Sequence, residues 1–154
     1  MYDIEMWVQS RKILVKFFRL FSEEQLLEIP FGFNNNLAWN FGHILQVHQS
    51  LIYKLSGLTV NLNDWEMDHF ANGSSPKQWD INPDFDRIEF QLLNQCDQLK
   101  SDISKDIFKY YKGYTTSKGI YIPDFESALA FNFFHEGLHT GMMMSMRKLL
   151  MTKN

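Results

Sequence analysis

An apolar stripe with spacings of three and four runs from Phe85 through Ile88, Leu92, Cys96, Leu99 and Ile103 to Ile107. Such a stripe lines one face of an α-helix, whereas a half-buried strand would alternate at every second residue. Three other stretches carry the same signal. The first spans Asp3 to Phe21, with Ile4, Trp7, Leu14, Phe17, Phe18 and Phe21 mostly three or four apart. The second is predicted from the cluster Asn34, Asn35 and Asn36, a strong capping sequence, to Ser56, with Gly57 as its stop. The fourth is predicted from Pro123 or Asp124 to Leu150, with Asp124 and Glu126 suited to its positive end and Arg147 and Lys148 to its negative end. The third, striped helix is expected to start with Asn82 as cap and Pro83 at the first helical position.

Around these lie weaker elements. Ser22, Glu23, Glu24 and Gln25 form a capping-box pattern, so a short helix is expected to begin there and stop before Pro30. Ile120, Tyr121 and Ile122 are too few to count as a strand. The sequence therefore predicts an all-α protein, an up-down four-helix bundle, with residues 1–154 as one domain. Two connections are long for a bundle. The one from Lys112 to Ile122 is rich in Gly, Ser and Thr. The one from Gly57 to Asn82 holds Trp65, His69 and Trp79 and is expected to pack, with a short helix near residues 61–70.

Composition excludes several functions. The net charge is −3 and the basic residues are dispersed, so the footprint of a phosphate backbone is missing and no nucleic-acid partner is expected. No run of about 18 apolar residues occurs, so no membrane span is expected. Cys96 is the single cysteine, and the N-terminal segment is acidic at once, unlike a secretory leader. A cytoplasmic protein is the expectation.

The chemistry concentrates in His135-Glu136-Gly137-Leu138-His139. Two histidines four apart share a helix face about one turn apart, the spacing at which two imidazoles grip one ion. The pair alone better suits two hydrogen-bonded core or rim histidines. Its stripe, read as Ala128, Asn132, His135, His139, Met142 and Met146, points to the bundle interior or its mouth. His43, in the middle of the second long helix, shares a face with Asn36, Asn40 and Val47 and is the candidate for a third ligand from a facing helix. Three imidazoles leave a fourth position open, the pattern of catalytic rather than structural metal sites.

Other residues compete for these roles. His48 lies five positions after His43, about 140° around the helix, so the two cannot face one ion, and His48 is expected at the rim or surface. His69 lies in the long connection and is expected to be an ordinary loop histidine. His-Glu-x-x-His is also a zinc-protease pattern with Glu136 as general base. However, no third ligand of that pattern follows His139. Glu136 is thus expected to be a solvated carboxylate or an outer partner of the site, with Glu136, Asn40 and Asn132 as candidates for proton transfer.

Three segments together resemble the DinB/YfiT-like superfamily. They are Asn35 to Ile44, with its Gly42-His43 step; Ala128 to Gly141, with the His135/His139 pair; and Phe70 to Pro76, similar to a Gly-Thr-x-Pro loop but with Ser74 and Ser75 in this chain. The resemblance spans the chain in helix order. It implies a four-helix bundle, often a homodimer, with a divalent metal held by His43, His135 and His139. Some branches resemble transferases and isomerases that use a low-molecular-weight thiol, which the metal would activate as a thiolate.

The expected function is therefore that of a divalent-metal-dependent enzyme acting on a small molecule, either a thiol-dependent transferase or a hydrolase. Zinc, nickel, iron and copper all suit three imidazoles. The competing class is a non-catalytic metal-binding or structural dimeric bundle. A homodimer through helix faces is expected, because Trp7, Trp39, Trp65 and Trp79 exceed what a core of this size needs.

Overall fold

The computed structural model describes residues 4–151. Helix α1 runs Ile4–Phe18, and the expected start at Asp3 lies outside the described residues. Helix α2, Glu23–Leu27, carries the full capping box: the Ser22 side chain accepts from Gln25 N, and the Gln25 side chain accepts from Ser22 N. Helix α3, Leu37–His48, is capped by Asn36, whose Oδ1 accepts from Trp39 N and whose Nδ2 donates to the Leu27 carbonyl. One side chain thus starts α3 and pins it to the end of α2. A π-helical turn over Gln49–Tyr53 and a 3-10 turn over Lys54–Ser56 continue α3 to Gly57, whose φ of 71° favours glycine.

Helix α4, Asp64–His69, is the short helix expected inside the long connection. Helix α5 runs Phe85–Ser104 and is capped by Asp84, which accepts from Arg87 N, instead of by Asn82. Its C-terminal end comes earlier than the stripe suggests, because Asp106 turns to φ 54° and leaves Ile107 beyond the helix. Tyr114–Thr115 (β1) and Tyr121–Ile122 (β2) pair antiparallel as a small hairpin that the sequence did not predict. It seats Ile122 in the core. Helix α6, Phe125–Met151, begins where Asp124 accepts from Ser127 N.

The four long helices, α1, α3, α5 and α6, form the expected all-α bundle. Helix α1 packs on α5, and α3 packs on both α5 and α6. Two apolar clusters fill the interior. One holds Leu14, Phe18, Phe41, Ile44, Leu92 and Met143, and the other holds Trp7, Leu51, Ile52, Leu99, Ala128 and Leu129. These memberships give the helix directions: α1 and α6 run one way, and α3 and α5 the other. The ion pairs Glu5–Lys100 and Arg19–Glu89 fix α1 and α5 as antiparallel. The order is therefore up, down, down, up, which corrects the alternating up-down order expected from the sequence, and the connection from Gly57 to Asp84 is long because it travels the length of the bundle.

Between the two clusters each long helix turns a polar residue inward: Arg11 from α1, His48 from the end of α3, Gln95 from α5, and Asn132 and Glu136 from α6. Burying Leu92 completely stabilises the fold by about 1.5–3 kcal/mol in transfer terms, before any cavity cost. Leu92→Ala should cost about 2–5 kcal/mol in urea unfolding, whereas Ile13→Ala, at a position 64% exposed, should stay within about 0.5 kcal/mol. Equal losses at the two positions would contradict this placement of the core.

Candidate metal centre

Helix α3 offers His43, and α6 offers His135 and His139 from successive turns. The three converge: one ring nitrogen from each lies within 4.8 Å of the other two. Ring centroids are 4.5 Å apart for His135–His139, 4.8 Å for His43–His139 and 5.0 Å for His43–His135. Nitrogens on one tetrahedral ion stand roughly 3.4 Å apart, so side-chain motion of about an ångström closes the group on a metal.

Hydrogen bonds fix the chemistry of two rings. His43 Nδ1 lies 2.7 Å from the carbonyl of Phe70, which can only accept. Nδ1 therefore carries the proton, and Nε2 keeps its lone pair. Asn40 does the same for His139. Its Nδ2 donates to the Asn36 carbonyl, which leaves Oδ1 to accept from His139 Nδ1 at 2.8 Å. Outer partners of this kind orient imidazole ligands and set their tautomer. His135 has a buried Nδ1 with no hydrogen-bond partner among the described residues, a costly state for a polar group.

Packing supports the same arrangement. The Trp39 ring stacks on His43 at 4.4 Å and is held by donation from Nε1 to Ser74 Oγ. Gly42 is required because a Cβ there would stand 2.4 Å from the ring of Phe70, the residue whose carbonyl holds His43. Burial, and then mutual repulsion, pushes His135 down to about 3 and His139 down to about 4, while burial lowers His43. All three rings are therefore neutral at pH 7, the form in which imidazole binds metal. Among the described residues no carboxylate or cysteine joins the group. Cys96 is buried elsewhere, and burial pushes its thiol up to about 11. The donor set fits a borderline divalent ion with an open position.

Several expectations need correction. His48 is not at the rim. It is fully buried, stacked on Trp7 at 5.1 Å with neither ring nitrogen hydrogen-bonded among the described residues, and burial holds it well below the usual histidine range. His69 ends α4, stacks on Trp65 and contacts the Trp65 carbonyl through Nδ1, outside the triad. Glu136 is not solvated: it is 4% exposed. Its Oε1 accepts from Arg11 and Asn132, and its Oε2 accepts from Arg11 and Trp7. With two donors on each oxygen, it has no free lone pair for the catalytic role expected of it. Asn132 serves Glu136, and of the three proton-transfer candidates only Asn40 touches the triad. The buried line on α6 is Ala128, Asn132, Glu136, Met143 and Met146, while Met142 is 40% exposed, so the inward face is rotated from the one read in the sequence.

The sequence reading missed Arg11, Trp39 and the Phe70 carbonyl. Arg11 did leave a signal: Trp7, Arg11, Leu14 and Phe18 share one helical face, and a charge in the middle of such a face calls for a buried partner. Nothing in a sequence marks which backbone carbonyl will meet a histidine.

A helical bundle that brings three neutral imidazoles together from two facing helices defines a class, the bundle proteins able to hold a metal ion between helices. The chain belongs to the DinB superfamily, whose profile matches residues 6–143. A comparison with curated proteins returns no match.

The depressed histidines make stability pH-dependent in a definite direction. Unfolded histidine titrates near 6.5, while His135 and His139 in the fold titrate only at about 3 and about 4. Below 6.5 the unfolded chain gains protons that the fold does not, so stability is complete above that value and declines as pH falls toward the folded pKa values. With chelator present, the urea midpoint should be lower at about pH 5 than at about pH 7.5, and the difference should shrink in His135→Asn/His139→Asn. An unchanged midpoint would contradict the burial of neutral rings.

Proposed function

We propose that the protein is a divalent-metal-dependent enzyme acting on a small molecule, a thiol-dependent transferase or a hydrolase, with its ion held by His43, His135 and His139. The observation that carries the reading is the meeting of three neutral imidazoles, two with Nδ1 protons committed to Phe70 and Asn40, around a point that no fourth described residue claims. A divalent ion there supplies Lewis-acid activation of water or of an external thiol. The chain's own residues hold and orient: Asn40 and the Phe70 carbonyl set the ring tautomers, and Trp39 walls one side. Cys96 is too buried to supply the thiol, so a low-molecular-weight thiol would have to come from solution. Zinc, nickel and iron all suit the donors.

The alternative, a non-catalytic metal-binding protein, is favoured by one observation. Glu136, the acid–base residue nearest in sequence, is fully occupied by its donors. A thiol-conjugation screen with and without added metal separates the two readings, and turnover only with metal supports the enzyme. Elemental analysis of purified protein should find about one divalent ion per chain, with His139→Ala losing nearly all of it while helical circular dichroism persists, because the apolar clusters form without metal. Loss of the helical signal in that variant would make the site structural.

We further propose a homodimer, on different grounds from the tryptophans. Trp7 and Trp39 are core residues, and Trp65 and Trp79 pack within the long connection. The support comes from α6, whose outward side between Glu126 and Arg147 carries no charge and exposes Phe134, Leu138, Met142 and Met144. An uncharged face can meet its own copy across a two-fold axis without repulsion. Light scattering at micromolar concentration should give twice the chain mass, and Leu138→Lys should return it to one. A monomer mass in the parent protein would contradict the proposal.

A further inference from the structure

We propose that Arg11, which supplies no metal ligand, is a positioning residue for the centre. It grips Glu136 and so fixes the rotation of α6 that carries His135 and His139 to His43. The inference rests on the metal reading above.

Helix α6 needs such a key. It is apolar nearly all round, with Phe134, Leu138, Met142 and Met144 exposed on one side and Ala128, Leu129, Met143 and Met146 buried on the other. Burial of apolar area is non-directional, so it discriminates weakly between rotations of such a helix. A charged group is different, because a carboxylate inside the bundle is tolerated only where its partner stands. Glu136 sits one residue after His135 and three before His139. Each residue turns the helix about 100° and advances it about 1.5 Å, so a slip of one position would carry both histidines away from His43.

The grip is geometrically specific. Arg11 Nε meets Glu136 Oε2 at 2.8 Å, and Arg11 Nη2 meets Oε1 at 2.6 Å, a fork-to-fork pair that sets the plane of the carboxylate. Trp7 Nε1 adds a bond to Oε2 at 3.0 Å, and Asn132 Nδ2 one to Oε1 at 2.8 Å. Arg11 is itself held. Its guanidinium lies 5.1 Å from the Trp7 ring centroid, and its Nη1 reaches toward the Leu92 carbonyl of α5. Helix α6 is therefore keyed to α1 and α5, while the third imidazole stands on α3. The ligands come from two helices, and their alignment engages all four.

The test compares the full chain with Arg11→Lys, which keeps the charge and loses the fork, and with Arg11→Met/Glu136→Leu, which replaces the pair by apolar side chains. Trp7→Phe removes one donor and leaves the pair intact. The readouts are circular dichroism, the visible spectrum with cobalt(II), the zinc dissociation constant by competition, and the imidazole N–H resonances of the metal-free protein. We expect folded variants with parent-like helicity, zinc binding weakened about tenfold or more in the Arg11 variants, an altered cobalt spectrum, and a shifted His139 Nδ1–H signal. Any Arg11 variant that folds with the parent's zinc affinity, cobalt spectrum and ring signals overturns the proposal. If neither Arg11 variant folds, Glu136→Gln, which keeps the shape of the side chain and loses one arm of the fork, decides on the same readouts, with a shift in the same direction expected and no shift overturning it, while Trp7→Phe should keep the parent's readouts. A parent chain that takes up no metal overturns the proposed function instead, and the ring signals of the metal-free proteins still judge the role of Arg11.

Discussion

A buried guanidinium and a buried carboxylate, Arg11 and Glu136, hold the centre of this bundle. Each charge costs several kcal/mol to remove from water, and their attraction offsets this only because every lone pair of the carboxylate meets a donor. Removing one partner would leave the other uncompensated, at a cost of about 3–5 kcal/mol. The pair therefore acts less as a source of stability than as a constraint on arrangement. It divides the apolar interior into two clusters, fixes which face of α6 looks inward, and leaves His135 and His139 at the level where α3 presents His43.

The connection from Gly57 to Asp84 shows a second constraint. It has to travel the length of the bundle because α3 and α5 run in the same direction, and on the way it delivers parts of the site. The last turn of α4 ends with the Phe70 carbonyl on His43 Nδ1, and Ser74 receives the indole N–H of Trp39. Gly42 lets the Phe70 ring come close enough for this. Stacking of Trp65 on His69 and edge or tilted contacts among Trp65, Phe70 and Trp79 hold the segment as a packed unit. The tryptophans that suggested an interface in the sequence are used here and in the core.

Much of this was legible from periodicity and capping. The four long helices, the capping box at Ser22, a cap in the cluster Asn34, Asn35 and Asn36 and the stop at Gly57 each follow from a local signal that the structure obeys. The meeting of His43 with the α6 pair was also legible, because the spacing of the pair, the place of His43 on a facing helix and the resemblance to the DinB/YfiT-like superfamily pointed to one interior together. What could not be read depends on partners far apart in the chain. The stripe on α6 was phased by its apolar residues, which put Met142 inside and Glu136 outside. The reverse holds because Arg11, more than a hundred residues earlier, is buried and needs the carboxylate. His48 was placed at the rim because it cannot share an ion with His43. Its burial against Trp7 follows from the packing of α1, which helix phase alone does not contain. Asn82 and Asp84 both carry capping side chains, and only the backbone chooses between them.

The central claim is that His43, His135 and His139 hold one metal ion. X-ray absorption at the edge of the metal in the purified, thiol-free protein tests it most directly. Three imidazole nitrogens at about 2.0–2.1 Å, with one light atom beside them and no sulfur, are the predicted result. A sulfur shell, or a shell of oxygens with no imidazole scattering, would place the ion elsewhere and contradict the account.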